Sequence, residues 1–289
     1  MIPRVLPALA VAILLLGAFR EAGAGEGDGQ SSPCLQRYRE VVSFQPAPAD
    51  VGRAPLDVLA PLAPHQPFAV EANLSIKELA GPIPIALHVR YPEGSINPGS
   101  KDTPAGGAQF YAPVLAGSEA TAACLGYRVR FEDGFAFARG GKLPGLFGSE
   151  GAPVTTASGC RPVYDQAGFS ARLMWRSGGR GEVYAYTQNK TARCGESLGR
   201  GNWTYATGPW IAVQEEVILN TPGHDDGRVR VWIDGRLVLD QGGLLYRSGP
   251  AVHIQGLFFS TFFGGKKPDW ASPRDQGTDF ADFRLGLPR

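Results

Sequence analysis

Phe169-Ser170-Ala171-Arg172-Leu173-Met174-Trp175-Arg176, followed by Ser177-Gly178-Gly179-Arg180-Gly181 and then Glu182-Val183-Tyr184-Ala185-Tyr186, is the stretch that decides the fold. Side chains alternate between the two faces of a strand, so Phe169, Ala171, Leu173 and Trp175 share one face and Ser170, Arg172 and Arg176 the other. Glu182, Tyr184 and Tyr186 share a face in the same way. Pairing the two segments as a hairpin with their apolar sides together puts Ser170, Arg172, Tyr184 and Tyr186 on the opposite surface. A strand pair with one apolar and one polar face belongs to a sheet that covers a core on one side only.

Further segments of the same kind lie on both sides of this hairpin. They are Phe68 to Ser75, Ile85 to Tyr91, Leu125 to Phe131, Trp210 to Leu219, Val229 to Ile233, Leu237 to Asp240, Val252 to Phe262 and Phe280 to Leu285. Asp234-Gly235 between two alternating runs is a two-residue hairpin signal. With 39 glycines, 24 prolines and little helical periodicity, the sequence predicts many short strands joined by turns. Strands in this number without intervening helices imply an all-β chain, an antiparallel β-sandwich. The jelly roll is preferred to the immunoglobulin topology because the chain is long and its strands numerous. No internal repeat or heptad pattern divides it.

The amino terminus has a different character. Arg4, the apolar run Val5 to Ala18 and the small residues Ala22-Gly23-Ala24 describe a signal peptide over 1–24, with a mature chain beginning near Gly25 and secreted from the cell. Residues 25–66 are expected to be a leader and a proline-rich irregular segment, with a helical turn around Leu56 to Leu62. Residues 67–289 are expected to form the β domain. No later segment approaches the ~20 apolar residues of a bilayer span, so no membrane anchor is expected after signal removal. The mature chain, roughly 260 residues, is long enough to bury a core unaided. Its four cysteines in an oxidising compartment imply two disulfides in one of three connectivities, of which Cys34 with Cys124 and Cys160 with Cys194 is favoured. Their spacing matches no zinc pattern, so neither metal nor cofactor is expected. Asn73-Leu74-Ser75, Asn189-Lys190-Thr191 and Asn202-Trp203-Thr204 are acceptor triplets for glycosylation. A net charge of +1 gives nucleic-acid binding no support and requires that any attraction to an acidic partner be local.

Such a local charge exists. Upstream of the hairpin, Arg139-Gly140-Gly141-Lys142-Leu143-Pro144-Gly145 describes a tight loop able to hold Lys142 against the polar surface. A lysine, an arginine, a serine and two tyrosines on one surface suit an anionic sugar chain. Eliminative cleavage of a polyuronate needs a base for the C5 proton, a partner for the charge growing on the carboxylate, and an acid for the leaving O4. Tyrosine serves as base only if a neighbouring cation favours the phenolate, since its ordinary pKa is near ~10. Lys142 or Arg172 could supply that cation while binding the carboxylate.

The blocks Gly140 to Leu146, Phe169 to Arg176 and Glu182 to Tyr186 resemble polysaccharide lyase family 14, the alginate lyases. So do Val231-Trp232-Ile233-Asp234-Gly235, Tyr246-Arg247, Phe259 to Gly265 and Asp279-Phe280-Ala281-Asp282-Phe283. The likeness runs from Val89 to Leu285. It implies a β jelly roll acting on an anionic polysaccharide, alginate or glucuronan, by β-elimination. It further implies that Lys142 is important for catalysis, that Tyr184 and Tyr186 supply the proton-transfer group, and that Ser170 and Arg172 bind substrate. By analogy with the glucuronan lyases, Gln109 is a neutral partner for the carboxylate. The protein is expected to be a monomer.

The residues alone leave a second reading open, a carbohydrate-binding protein that keeps the groove without turnover; the joint presence of Lys142, Ser170, Arg172, Tyr184 and Tyr186 favours the enzyme. A glycoside hydrolase would need paired carboxylates, and only Glu182 qualifies on the polar face of this hairpin. His65, His88, His224 and His253 share no spacing and are expected to be structural or exposed. Phe258 to Phe263 is expected to be core, with Trp270 as a rim residue.

Overall fold

The computed structural model describes Met1 and residues 32–151, 158–160 and 168–289. The signal-peptide reading lies outside the described residues, except for Met1. Residues Ser32–Arg289 form one compact unit.

The described residues form fifteen strands in two antiparallel sheets. The first sheet contains β1 (Tyr38–Phe44), β3 (Leu74–Glu78), β4 (Ile85–Tyr91), β6 (Ala122–Phe131), β11 (Ile211–Ile218), β12 (Gly227–Ile233), β13 (Arg236–Leu244) and β15 (Gln276–Pro288). Its order is β13-β12-β11-β6-β15-β4-β3, and β1 pairs with the distal half of β15. The second sheet contains β2 (His65–Phe68), β5 (Ala108–Ala112), β7 (Gly140–Ser149), β8 (Gly168–Arg176), β9 (Gly181–Tyr186), β10 (Glu196–Leu198) and β14 (His253–Thr261). Its order is β10-β9-β8-β7-β14-β5-β2. The two sheets stack as a jelly-roll sandwich.

Inward residues of both sheets meet in a single large core. At its centre the buried Trp175 ring packs edge-on against Tyr91, Phe131, Phe135 and Phe263, with centroids 5.4–6.0 Å apart. Its indole N–H donates to the Phe137 carbonyl at 3.1 Å, so its polar atom is not left bare. Truncating an aromatic anchor of this kind costs about 3–5 kcal/mol. The hairpin signal at Asp234-Gly235 is realised with both residues at positive φ, 49° and 79°, as a primed turn requires. The helical turn expected near Leu56 is present as Pro55–Leu59 and continues as a 3-10 turn over Ala60–Leu62. Both expected disulfides, Cys34 with Cys124 and Cys160 with Cys194, are formed.

The structure corrects three sequence expectations. Tyr38–Phe44, read as part of an irregular leader, is a strand that completes the first sheet. The strand expected from Phe68 to Ser75 is broken: Ala69 is left-handed at φ 52°, and a helical turn, Val70–Asn73, carries the chain from β2 in one sheet to β3 in the other. The tight loop expected around Lys142 is instead the central strand β7. Its glycines are there because strands and rings crowd it. A Cβ on Gly141 would sit 2.0 Å from the Trp175 ring, and one on Gly145 would sit 2.0 Å from the Ala171 carbonyl.

Candidate active site

The β8–β9 hairpin has the register read from the alternation: Ser170 faces Tyr186, Arg172 faces Tyr184 and Met174 faces Glu182. With the inward positions filled by Phe169, Ala171, Leu173, Trp175, Val183 and Ala185, the opposite face carries Ser170, Arg172, Tyr184 and Tyr186. These side chains are not a solvated surface. Ser170, Arg172 and Tyr186 are at most 3 % exposed, and Tyr184 is half-buried.

Lys142 reaches this face from β7 through a bulge. Lys142 pairs with Met174 and Gly145 with Arg172, so β7 carries one more residue than β8 between the two points. Proline suits this position, since Pro144 has no N–H to lose from the ladder. The amine of Lys142 lies 2.9 Å from the Met174 sulfur and 3.9 Å from the centre of the Tyr184 ring. Burial, reinforced by the Arg172 and Arg176 guanidiniums, pushes the Lys142 pKa well below the ordinary lysine value, and Glu182 opposes this. Burial thus favours the neutral amine of Lys142 over its ammonium form.

Arg172 lies in the next row. Its guanidinium sits 4.6 Å from the Phe258 ring centre and donates at 3.1 Å to the Ser260 hydroxyl. Ser260 donates in turn to the Gln109 side-chain oxygen at 3.3 Å. This brings Gln109, on β5, into the same cluster as the hairpin residues. The buried Nε of Arg172 has no hydrogen-bond partner among the described residues, so the guanidinium retains a donor for an incoming acceptor.

The two tyrosine rings pack edge to face, 5.6 Å apart. The main chain on either side of the Cys160–Cys194 bridge supports them. The Cys160 N–H donates to the Tyr186 hydroxyl at 3.2 Å, and the Gly195 N–H bonds the Tyr184 hydroxyl. Burial and the neighbouring Tyr186 push the Tyr184 pKa up to about 12, and Arg172 only partly offsets this. The phenolate that Arg172 was expected to favour is therefore disfavoured in the resting fold, because desolvation outweighs the cation.

Other residues at the site were not legible in the sequence. Phe258, expected in the core, lies on the polar face, where it stacks on Tyr111 at 4.2 Å and joins Phe147 in a separate aromatic patch. Phe259 and Phe263 are core, as expected. Alternation along Phe258 to Ser260 carries this signal, but an unbroken aromatic run conceals it. Glu182 is fully buried, held by Arg176 at 2.5 Å, Arg200 at 2.6 Å and Ser197 at 3.1 Å. Its two arginines offset a charge that would repel a polyanion. Trp270 lies under Arg139 and Arg176, each 5.8 Å from the ring, at the rim. His88 is buried and bonded to Asp279 at 2.8 Å, away from this face in the first sheet. His65 and His253 line a separate cavity of about 440 Å³. Among the described residues no group of three or more His, Cys, Asp or Glu side chains is placed to hold a metal ion.

Comparison with known proteins shows the family and the fold. Residues 83–283 match the family polysaccharide lyase 14. The alginate lyase of the same family from Aplysia kurodai is 31 % identical with a TM-score of 0.76, over 86 % of this chain and 100 % of that one. Alginate lyase Aly36B, in a doubly substituted form in complex with an alginate tetrasaccharide, is 20 % identical with a TM-score of 0.66, over 90 % and 97 % of the two chains. The endo-β-1,4-glucuronan lyase of Trichoderma reesei shares the fold at 10 % identity and a TM-score of 0.51, over 86 % and 96 %. No curated protein sequence matches the chain. A match spanning most of the chain, on a jelly roll that presents a buried lysine, an arginine and paired tyrosines on one face, places this chain in the polysaccharide lyase 14 family.

Proposed function

We propose that this lyase is secreted and cleaves a polyuronate, polymannuronate-type alginate or glucuronan, by β-elimination at the Lys142–Tyr184 pair. The observation that carries the proposal is the buried amine of Lys142 against the Tyr184 ring, with Arg172 beside them. The uronate carboxylate binds Arg172, whose spare N–H and relay to Ser260 and Gln109 offset the charge that grows on it. Neutral Lys142 takes the C5 proton. The C4–O4 bond breaks as the C4=C5 bond forms, and Tyr184, protonated because its pKa is raised, gives its proton to O4. Tyr186 and Gly195 orient that phenol. This assignment departs from the sequence reading, which gave the tyrosines the proton transfer without dividing base from acid and placed Lys142 with Arg172 at the carboxylate. The departure follows from burial, which favours the neutral form of both groups. Base and acid lie on the same face of the sheet, and so on the same side of the sugar ring. That suits mannuronate and glucuronate, whose C5 proton and O4 are on one side, better than guluronate.

The two disulfides support secretion. Of the three glycosylation triplets, Asn189 and Asn202 are exposed, whereas Asn73 is buried with its amide bound to the Ala105 and Gly107 carbonyls. The test is ultraviolet detection of the unsaturated product on polymannuronate, glucuronan and polyguluronate. The expected order places polyguluronate last. A polyguluronate rate equal to or above the others overturns the one-sided geometry, and no product from any of the three overturns the substrate class.

A further inference from the structure

Beneath the groove, the core contains a polar feature that packing does not require. Glu215, on β11 of the opposite sheet, points inward between Val213 and Val217 and is fully buried. One carboxyl oxygen accepts the Leu146 N–H at 2.8 Å, and the other has no partner among the described residues. Diagonally across the β11–β6 ladder, opposite Val213, lies Tyr127, whose hydroxyl donates to the Pro144 carbonyl at 3.2 Å. Both bonds cross the sandwich to the same short segment, Pro144 to Leu146, within and just after the bulge of β7 that holds Lys142 against Tyr184.

An apolar side chain of similar size would fill the Glu215 site without the desolvation penalty of a carboxyl group. What the acid adds is a partner for a main-chain N–H on the strand that bears the amine. Burial pushes its pKa well above the carboxylate range, which favours the uncharged acid in this place, while the Leu146 N–H opposes the shift. From the other side, the Lys142 N–H donates to the Phe262 carbonyl at 2.9 Å, and Gly145 lies against the Ala171 carbonyl with no room for a Cβ. The bulge is clamped laterally by its neighbouring strands and from below by the two core side chains.

We propose that Glu215 and Tyr127 are positioning residues for Lys142, acting through the main chain of the β7 bulge from the opposite sheet. The inference rests on the reading of Lys142 as the base. It concerns geometry and not charge, so the amide that keeps the acceptor, Glu215→Gln, should replace the acid, and the apolar Glu215→Leu should not.

The test uses the full secreted chain with Glu215→Gln, Glu215→Leu and Tyr127→Phe. It measures melting temperature, kcat and KM on polymannuronate, and the titration of the Lys142 amine by carbon NMR after reductive methylation with labelled formaldehyde. A displacement of a catalytic group by an ångström costs about 10²-fold in rate. Glu215→Leu should therefore stay folded with KM within a factor of about three and lose kcat on that order. Its Lys142 titration should shift. Glu215→Gln should keep kcat within about twofold and the wild-type titration, because the acceptor remains. A folded Glu215→Leu with wild-type kcat and titration overturns the proposal, and so does a Glu215→Gln that falls as far as Glu215→Leu. If Glu215→Leu does not fold, Tyr127→Phe decides by the same measurements: several-fold loss of kcat is expected, and unchanged kcat and titration overturn it. A wild-type protein without turnover on any uronan would refute the base assignment, and the Lys142 titration would still decide whether the bulge is held from below.

Discussion

Replacing Lys142 with methionine removes the amine while keeping an unbranched stem against Met174 and the Tyr184 ring, so the shape of the site is nearly preserved. A positioned general base contributes about 10²–10⁴-fold, or about 3–5 kcal/mol of transition-state stabilisation, and kcat should fall by that amount. KM should change little, because the proposed mechanism gives the carboxylate to Arg172. Stability should move the other way. The Lys142 pKa is lower in the fold than in the unfolded chain, so between the folded value and the ordinary 10.5 the unfolded chain binds more protons and stability rises with pH. Below the folded value the full cost of a buried ammonium applies. Lys142→Met removes that cost, so the variant should melt at or above the wild-type temperature near neutrality, with the advantage shrinking as pH approaches 10.5. The assay pairs ultraviolet measurement of elimination on polymannuronate with thermal melts across that pH range. A folded Lys142→Met that keeps kcat within tenfold refutes the base assignment. A variant less stable than wild type at neutral pH refutes the electrostatic reasoning behind it.

Tyr184→Phe should abolish most turnover, and in the wild type kcat should rise as Lys142 loses its proton and fall only as Tyr184 approaches its raised pKa of about 12, seen in the pH–rate profile. Arg172→Met should raise KM and lower kcat/KM by about 10–150-fold, the worth of a charge-assisted hydrogen bond of about 1.5–3 kcal/mol, measured by initial rates. The double variant Cys160→Ser with Cys194→Ser should lower the melting temperature, since a disulfide is worth about 2–4 kcal/mol. It should also lower kcat, because the Cys160 and Gly195 amides that bond the two phenols lose their tether.

The β8–β9 hairpin was legible because its alternation is unbroken and its turn is glycine-rich, so both strands and the facing of four site residues followed from periodicity. Lys142 was recognisable as a residue, but its strand was not. Gly141, Gly145 and Gly148 erase the alternation of β7, since the space a side chain would need there is taken by Trp175, Phe169 and the β8 main chain. Tyr38–Phe44 was missed because its exposed middle carries Arg39, Glu40 and Val41 with no apolar face. Burial was the second gap. Whether Asn73 is a glycan acceptor or a satisfied buried amide, and whether Lys142 is a cation or a neutral amine, depends on residues far away in the chain. Glu215 read as one more polar residue in a strand, and only the stacking of the two sheets places it under β7.

The most direct test of the central claim, cleavage by elimination at a buried lysine and tyrosine, is the mass of the oligosaccharides released from polymannuronate by the wild-type protein and by Lys142→Met. Elimination predicts fragments one water lighter than hydrolysis products, each with an unsaturated uronate at its non-reducing end, and their near-complete loss in the variant. Hydrated fragments, or unsaturated ones formed as fast by Lys142→Met, would contradict it.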